Sequence, residues 1–193
     1  MLTLNDIKTK IEKADNIVII CHISPDGDTI GSGLALYKFL CKLDKKVELV
    51  CEDVVSNKFD VLFKGKNVVK NDLSDDITFD LAIGVDVATA ERMGELRKFY
   101  FRAKDRMVID HHKTNDFSSS ELYLTTDVCS VAETMYSVLS FVNVDCIDKS
   151  IAECMYAGML TDSGAFYFES TTANTHLVLS KLYAYNIDAN KIY

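Results

Sequence analysis

The sequence has very little proline and no concentrated positive charge. Pro25 is its single proline, so proline content gives no sign of a linker between domains. Lysine and arginine number 21 against 29 acidic residues, the net charge is -8, and no basic block occurs. This composition argues against a protein that grips long duplex nucleic acid, which requires a basic surface. A small anionic substrate remains compatible if bound cations supply positive charge.

Membrane-length apolar runs and paired cysteine motifs are also missing from the sequence. The first 13 residues form a charged amphipathic pattern without the apolar centre of a signal peptide. The six cysteines show neither C-x-x-C nor zinc-finger spacing, so we expect them to be reduced and mostly buried. These features predict a cytoplasmic protein with no membrane partner.

Apolar runs do alternate with helical patterns along the chain. Hydrophobic residues make up 48% of the sequence, which favours a globular domain with one substantial core. Strand, helix and strand at the observed spacing form a βαβ unit, which implies parallel strands. We therefore predict an α/β fold of three layers, α/β/α, with a mainly parallel sheet of about five strands. The predicted strands are 16–21, 47–51, 79–85, 106–109 and 121–124, with a short strand possible at 68–69 and a strand-like segment at 166–168; the predicted helices are 4–14, 29–43, 88–96, 130–142, 148–162 and 173–185.

Histidine and aspartate residues follow several of the predicted strands. His22, Asp86 and Asp110 each come directly after a strand. They therefore belong at the carboxyl edge of the sheet, where open parallel sheets bind ligands. Asp80 begins its strand and is assigned to the opposite edge. On the first segment alone, an ordinary turn in which Asp28 only caps the following helix is an equally good interpretation.

The spacing of one helix directs a further acid toward the same place. Ile151, Met155, Gly158 and Asp162 share the core-facing stripe of the predicted helix 148–162. Both the helix dipole and burial disfavour a carboxylate at this helix end. A nearby cation would remove both penalties. The alternative is that the helix ends one residue early and leaves Asp162 in solvent.

Charge counting then predicts two divalent cations. Carboxylates gathered in a crevice of low dielectric constant repel one another unless positive charge compensates them. Two divalent ions match the formal charge of four aspartates: Asp26, Asp28, Asp86 and Asp162. Because His22 and His111 add neutral nitrogen ligands and no thiolate is present, Mn²⁺ is preferred, with Mg²⁺ as the other suitable ion, over structural zinc.

The motifs that carry these residues resemble the four motifs of the DHH phosphoesterases. They are His22-x-x-x-Asp26-x-Asp28, Asp86 after a strand, Asp110-His111-His112, and Leu160-Thr161-Asp162-Ser163-Gly164. Their order and spacing match the family across most of the chain. The stretches 28–32, 109–115 and 161–172 are similar to the NrnA-type members, which hydrolyse very short oligoribonucleotides and remove the 3'-phosphate from adenosine 3',5'-bisphosphate (pAp).

The resemblance implies a role for each motif residue. One metal would have the ligands His22, Asp26 and Asp86, and the other would have Asp28, Asp86, His111 and Asp162. A hydroxide shared by the two metals would attack phosphorus. The catalytic residues would be Asp86, which bridges the metals, His112, which lies beside the scissile phosphate, and Asp110, which supports the histidine pair. Substrate would contact His112, Lys113 and Asn115, although an ordinary polar loop explains Lys113 and Asn115 equally well.

Family members usually continue into a second, smaller domain, with a glycine-rich motif that holds the nucleotide. The chain ends at Tyr193, so we expect residues 1–193 to be the catalytic domain, a linker to begin near 186–193, and the second domain to be absent. Either an isolated domain or a natural short form fits this expectation. Tyr167 replaces a basic residue that close relatives often have.

Several functions share these motifs. The leading prediction is hydrolysis of phosphoester bonds in short oligoribonucleotides or small phosphorylated nucleotides. The alternatives are a manganese pyrophosphatase, a cyclic-dinucleotide phosphodiesterase, and a metal-binding module that lacks its substrate domain and has no turnover. A homodimer is also expected if the face that normally meets the second domain is exposed.

Overall fold

A computed structural model describes residues 1–65 and 67–192, and these residues contain one six-stranded parallel sheet. The spatial order of the strands is β3-β2-β1-β4-β5-β6. The predicted α/β class and parallel sheet are confirmed. The sheet has six strands rather than about five, because the short segment at 68–69 does contribute a strand, which is shifted by one residue and pairs with β2. The strands are β1 (Asn16–Cys21), β2 (Lys46–Val50), β3 (Val69–Lys70), β4 (Leu81–Val85), β5 (Asp105–Asp110) and β6 (Leu122–Leu124).

Helices cover both faces of this sheet. Within the described part of the chain, none of them is long and apolar enough to cross a membrane. Short 3-10 helices occur at Asn57–Phe59, Ala90–Leu96 and Val144–Cys146. The α-helices are α1 (Leu4–Lys13), α2 (Gly27–Lys42), α3 (Asp60–Phe63), α4 (Arg97–Arg102), α5 (Val131–Asn143), α6 (Lys149–Asp162), α7 (Ala173–Tyr183) and α8 (Ala189–Ile192).

The central strands are buried on both sides, which explains their uniformly apolar sequence. Ile17, Ile19 and Cys21 of β1 pack into the larger core, which α2, α5 and α6 complete. Val18 and Ile20 point to the other face and pack into a smaller core with α4. The three-layer arrangement follows from this alternation.

The strand order reverses between β1 and β4. From β1 the chain runs outward through β2 and β3, and it then returns to β4 on the other side of β1. Cys21 and Val85, the last residues of β1 and β4, are register partners. The residues that follow them, His22 and Asp86, therefore lie side by side at the topological switch point, where open α/β sheets bind ligands.

Two local predictions differ from the structure. The predicted helix 88–96 is a 3-10 segment with a break at Gly94 (φ 61°), and regular helix begins only at α4. The strand prediction at 166–168 is wrong, because α6 is followed by a turn in which Gly164, Ala165 and Phe166 all have positive φ, at 58°, 58° and 67°. A left-handed backbone cannot continue a strand. Of the predicted linker region, α8 is described, whereas Tyr193 lies outside the described residues.

Candidate metal centre

Asp86 lies at the centre of the carboxyl edge of the sheet. The residue is buried (4% exposed) and adopts a left-handed backbone with φ 60°. Its backbone N–H donates to the carbonyl of Ile109 (3.0 Å), which ties the end of β4 to β5. Its Oδ1 is buried and has no hydrogen-bond partner among the described residues. Such orphaned oxygens are rare in folded proteins and cost about 1–3 kcal/mol each.

His22 and Asp26 adjoin Asp86 from the loop that connects β1 and α2. His22 Nε2 lies 3.4 Å from Asp86 Oδ2 and 3.6 Å from Asp26 Oδ2. The other oxygen of Asp26 caps α2, since it accepts the N–H groups of Asp28 (3.0 Å) and Thr29 (3.1 Å). Asp26, rather than Asp28, is therefore the helix cap, and its second oxygen remains available to the site.

The pKa values of His22 and Asp26 shift in opposite directions. Burial alone lowers the pKa of His22, but hydrogen bonding to Asp26 and Asp86 raises it to about 10. Burial raises the pKa of Asp26, but the hydrogen bond from His22 and those from backbone N–H groups lower it to about 2. The carboxylates at this edge therefore account for the raised pKa of His22.

The Asp28 side chain, in the first turn of α2, is buried against the start of α5. Its Oδ2 accepts the N–H of Val131 (2.6 Å), and its Oδ1 accepts the N–H of Ala132 (2.9 Å) and the hydroxyl of Ser32 (3.1 Å). Burial raises the pKa of Asp28 well above its usual range, and the charges of Asp86 and Asp162 raise it further. The N-terminus of α5 thus holds a carboxylate beside other acids that repel it.

Asp162 ends α6 and points toward His111. The Asp162 Oδ2 lies 3.6 Å from His111 Nε2, which is also 3.7 Å from Asp86 Oδ1. Burial raises the pKa of Asp162; His111 lowers it, and the charges of Asp86 and Asp26 raise it. α6 therefore does not end early, and a side chain that is 34% exposed faces the cluster.

Asp110 orients His112 from the end of β5. The buried Asp110 Oδ1 lies 2.8 Å from His112 Nδ1, and its Oδ2 accepts from the Asn115 side-chain amide (2.8 Å). Asp110 raises the pKa of His112 through this hydrogen bond; burial raises the pKa of Asp110, but His112 and Asn115 lower it below its ordinary value. The Asn115 amide also donates to Val87 O (3.2 Å). These hydrogen bonds make Asn115 a support for Asp110, and its contact with substrate stays a prediction, as does that of the exposed Lys113.

The sequence reasoning missed two residues at this edge. Thr29 is buried, and its hydroxyl donates to Val85 O (3.0 Å), which joins α2 to β4. Arg92 places Nη2 3.0 Å from His22 Nδ1. Thr29 directly follows the first motif, within the stretch 28–32, and could have been singled out there. Arg92 carried no signal, because it lies in a segment that was predicted to be an ordinary helix.

Together the predicted residues form three overlapping groups that could hold a metal ion. In each group the ligand atoms lie within 4.8 Å of one another. The groups are His22, Asp26 and Asp86; Asp28, His111 and Asp162; and Asp86, His111 and His112. The unpartnered Asp86 Oδ1 and the hard-to-borderline set of oxygen and nitrogen atoms both fit divalent cations. The chain thus provides the acidic and histidine groups of a metal site.

Comparison with known proteins decides the family. Residues 16–159 match the model described as "DHH family, N-terminal domain". The chain belongs to the DHH family. All of the predicted metal ligands of this DHH domain except Asp162 lie within the matched residues.

Two curated relatives of this DHH chain carry the same functional name. The chain is 28% identical, over 97% of its length, to "Probable bifunctional oligoribonuclease and PAP phosphatase NrnA" of Streptococcus mutans, and it covers 58% of that protein. It is 26% identical, over 93% of its length, to "Bifunctional oligoribonuclease and PAP phosphatase NrnA" of Bacillus subtilis, and covers 56% of it.

A solved structure shares the fold of this chain. The crystal structure of an exopolyphosphatase-related protein from Bacteroides fragilis superposes with a TM-score of 0.90 and 27% identity. The match covers 98% of this chain and 58% of that one. The chain thus spans a little over half the length of the relatives it matches.

Proposed function

We propose that the chain hydrolyses phosphoester bonds in small phosphorylated nucleotides and very short oligoribonucleotides, in a reaction that depends on two divalent cations. The central observation is the buried Asp86, which groups with His22 and Asp26 on one side and with His111 and His112 on the other. One of its oxygens has no hydrogen-bond partner among the described residues. The names of the S. mutans and B. subtilis relatives supply the substrate class. The PAP phosphatase and oligoribonuclease activities in their names both require water to attack phosphorus and break a P–O ester bond.

The residues would divide between the two cations as follows. His22, Asp26 and Asp86 would hold one cation, preferably Mn²⁺, and Asp28, Asp86, His111 and Asp162 would hold the other. The chemistry that divalent cations supply at such a site is neutralisation of phosphate oxygens and a lower pKa for bound water. The proposed occupancy also explains how four carboxylates coexist at one edge.

His112 would contribute the proton at the leaving group. Its Nδ1 lies 2.8 Å from Asp110, and the ring is 47% exposed, so its Nε2 side remains accessible. Because Asp110 raises the pKa of His112, the protonated form is favoured. In hydrolysis the water oxygen bonds to phosphorus, the ester P–O bond breaks, and the leaving oxygen accepts a proton, which His112 would give.

The test compares two aspartates at opposite ends of one strand. Phosphate release from pAp and mononucleotide release from a short RNA are measured with Mn²⁺ for the wild type, Asp86→Asn and the control Asp80→Asn. We expect Asp86→Asn to lower the rate by about 10²–10³-fold or more, the scale of losing a major electrostatic stabiliser. Asp80→Asn keeps its activity per folded molecule, because Asp80 binds Lys104 at the other edge (2.8 Å).

The outcomes separate the rival functions. Manganese-dependent activity retained in Asp86→Asn would contradict the proposed role of Asp86. Faster turnover of pyrophosphate or of a cyclic dinucleotide would assign the site to those substrates instead. If the wild type binds manganese and hydrolyses none of them, a metal-binding module without turnover is favoured. Light scattering on the same preparation tests the predicted homodimer.

A further inference from the structure

Arg92 lies at the rim of the candidate metal centre and outside its predicted ligand set. The residue is exposed, and its Nη2 lies 3.0 Å from His22 Nδ1. Among residues 1–65 and 67–192, the ion pairs within 4.0 Å include none that involves Arg92. An arginine beside an acidic cluster therefore keeps its charge unneutralised by any carboxylate in contact with it.

The backbone at Arg92 is fixed against the metal-site loop. The Arg92 carbonyl accepts the N–H of Ile23 (2.7 Å), and the Arg92 N–H donates to Thr89 O (3.1 Å). The next residue, Met93, is fully buried and packs so closely on β4 that a Cβ on Gly84 would lie 2.6 Å from Met93 Cε. The position of the arginine is thus determined by the fold, while its side chain reaches solvent.

A second contact fixes the far end of the same segment. Glu52, which follows β2, accepts the N–H of Glu95. The carboxylate passes so close to Gly94 that a Cβ there would lie 1.9 Å from Glu52 Oε2, so a side chain at position 94 would exclude this contact. Loops from β1, β2 and β4 are therefore joined around Arg92.

The Nδ1 atom of His22 cannot form hydrogen bonds with both of its polar neighbours at once. Its Nδ1 lies 2.7 Å from Ile23 O, which only accepts, and 3.0 Å from Arg92 Nη2, which only donates. When His22 uses the Nε2 lone pair toward the site, Nδ1 carries the ring proton and donates it to the Ile23 carbonyl. The Arg92 guanidinium then has no hydrogen-bond acceptor on His22 and can bind an anion instead.

We propose that the Arg92 guanidinium binds a non-bridging oxygen of the substrate phosphoryl group. This inference rests on the proposed function, since it specifies how the same site recognises a phosphate ester. An acid-lined edge repels a phosphate anion, and a cation at its rim counters that repulsion. Arginine suits the role, because its planar fork of donors matches phosphate oxygens and it stays charged at all working pH values.

The test is a binding measurement that does not require turnover. Calorimetry follows AMP binding to the manganese-saturated chain in the wild type, Arg92→Gln, Arg92→Lys and the control Arg97→Gln. Arg97 is five residues further on and lies within reach of Glu95 (3.8 Å). We expect Arg92→Gln to raise the Kd for AMP by about 10- to 100-fold, the scale of one hydrogen bond to a charged group. The Kd of Arg92→Lys should lie between those of the wild type and Arg92→Gln, and the Kd of Arg97→Gln should match that of the wild type.

Manganese affinity, measured on the same variants, gives the decisive contrast. The proposal expects it to be unchanged in Arg92→Gln. Weaker manganese binding with unchanged AMP affinity would show that Arg92 only positions His22, and would overturn the proposal. Unchanged AMP affinity in Arg92→Gln, or no AMP binding by the manganese-loaded wild type, would overturn it too.

Hydrolysis assays on these variants separate this inference from the proposed function. If the wild type hydrolyses pAp and Arg92→Gln does so with the same KM and kcat, the role of Arg92 fails and the proposed function stands. If no substrate is hydrolysed but AMP binding depends on Arg92, the proposed function fails and the phosphate contact stands.

Discussion

Asp80 and Asp86 flank the same strand, β4, at opposite edges of the sheet, and their surroundings differ completely. Asp80 accepts hydrogen bonds from Lys104 Nζ (2.8 Å) and from the N–H groups of Asn16 (3.0 Å) and Asp15 (3.1 Å). These contacts lower its pKa to about 2. Asp86 is more deeply buried, yet its Oδ1 accepts no hydrogen bond from the described residues. Asp80 is thus satisfied by contacts within the fold, whereas Asp86 has an oxygen that a bound cation could use.

The backbone shows the same contrast. Asp86 is held at φ 60°, a conformation that costs a residue with a side chain about 1–2 kcal/mol. Strain of this kind persists where the surrounding structure enforces it, commonly at functional sites. At the carboxyl edge both the dihedral angle and the unpaired oxygen therefore oppose folding, and a bound cation would offset the electrostatic part of that cost.

The largest expected effect is stabilisation by manganese. Cations that bind only the folded chain raise its stability by about 2.7 kcal/mol at a concentration 100 times the Kd. For a chain of this length the melting temperature should rise by about 5–10 °C. Differential scanning calorimetry with and without Mn²⁺ measures it, and Asp86→Asn should lose the increment while Asp80→Asn keeps it. Equal increments in all three proteins would remove the distinction between the two edges.

Gly158→Ala should damage the carboxyl edge through packing alone. A Cβ on Gly158 would lie 2.6 Å from Ala132 Cβ and 2.9 Å from Asp28 Oδ1. Overpacking of this kind costs about 1–3 kcal/mol, which urea unfolding measures. Because the added methyl group presses on Asp28, manganese affinity should fall as well. A fully stable variant with normal manganese binding would show that α6 can move away from α2 without consequence.

Asp110→Asn should slow turnover without weakening the fold greatly. An amide at this position cannot accept from both His112 and Asn115, so His112 loses its fixed orientation. Loss of such a supporting group lowers activity by about 10-fold. Steady-state kinetics on pAp measures the effect, and Asp116→Asn, an exposed carboxylate on the same loop, is the matched control. Equal rates in the two variants would remove Asp110 from the proposed mechanism.

The smallest effect concerns the opposite edge and depends on pH. The pKa of Asp80 falls from 3.8 to about 2 on folding, so its ionised form contributes stability above pH 4. That contribution is lost as the pH falls through about 2. The stability difference between wild type and Asp80→Asn should therefore be constant from pH 5 to 7 and shrink toward zero in acid. Urea unfolding at several pH values measures this difference, and one that grows in acid would contradict the assigned hydrogen bonds.

Much of this architecture could be predicted because its signals are local. Uniformly apolar runs indicated the buried strands, and the residues after them, such as His22 and Asp86, were assigned to one edge by topology alone. The helical spacing of Asp162 placed its side chain toward the same edge. For these residues, the geometry of parallel sheets turns sequence position into spatial position.

Other features depend on contacts between distant segments and carried no local signal. Asp28 binds the start of α5 more than 100 residues away. The helical pattern at 88–96 concealed Arg92 and the break at Gly94, where the carboxylate of the distant Glu52 passes close to the backbone. The left-handed turn after α6 differs from these features, because its contact is local: the Ser163 hydroxyl accepts the N–H of Phe166, three residues later (2.9 Å).

Anomalous diffraction from crystals grown in manganese tests the central claim most directly. The proposed function predicts two manganese peaks at the carboxyl ends of β1 and β4, with Asp86 as a ligand of both and no peak near Asp80. Crystals in which Asp86 Oδ1 faces only water, with the aspartates and histidines around it turned apart, would contradict it.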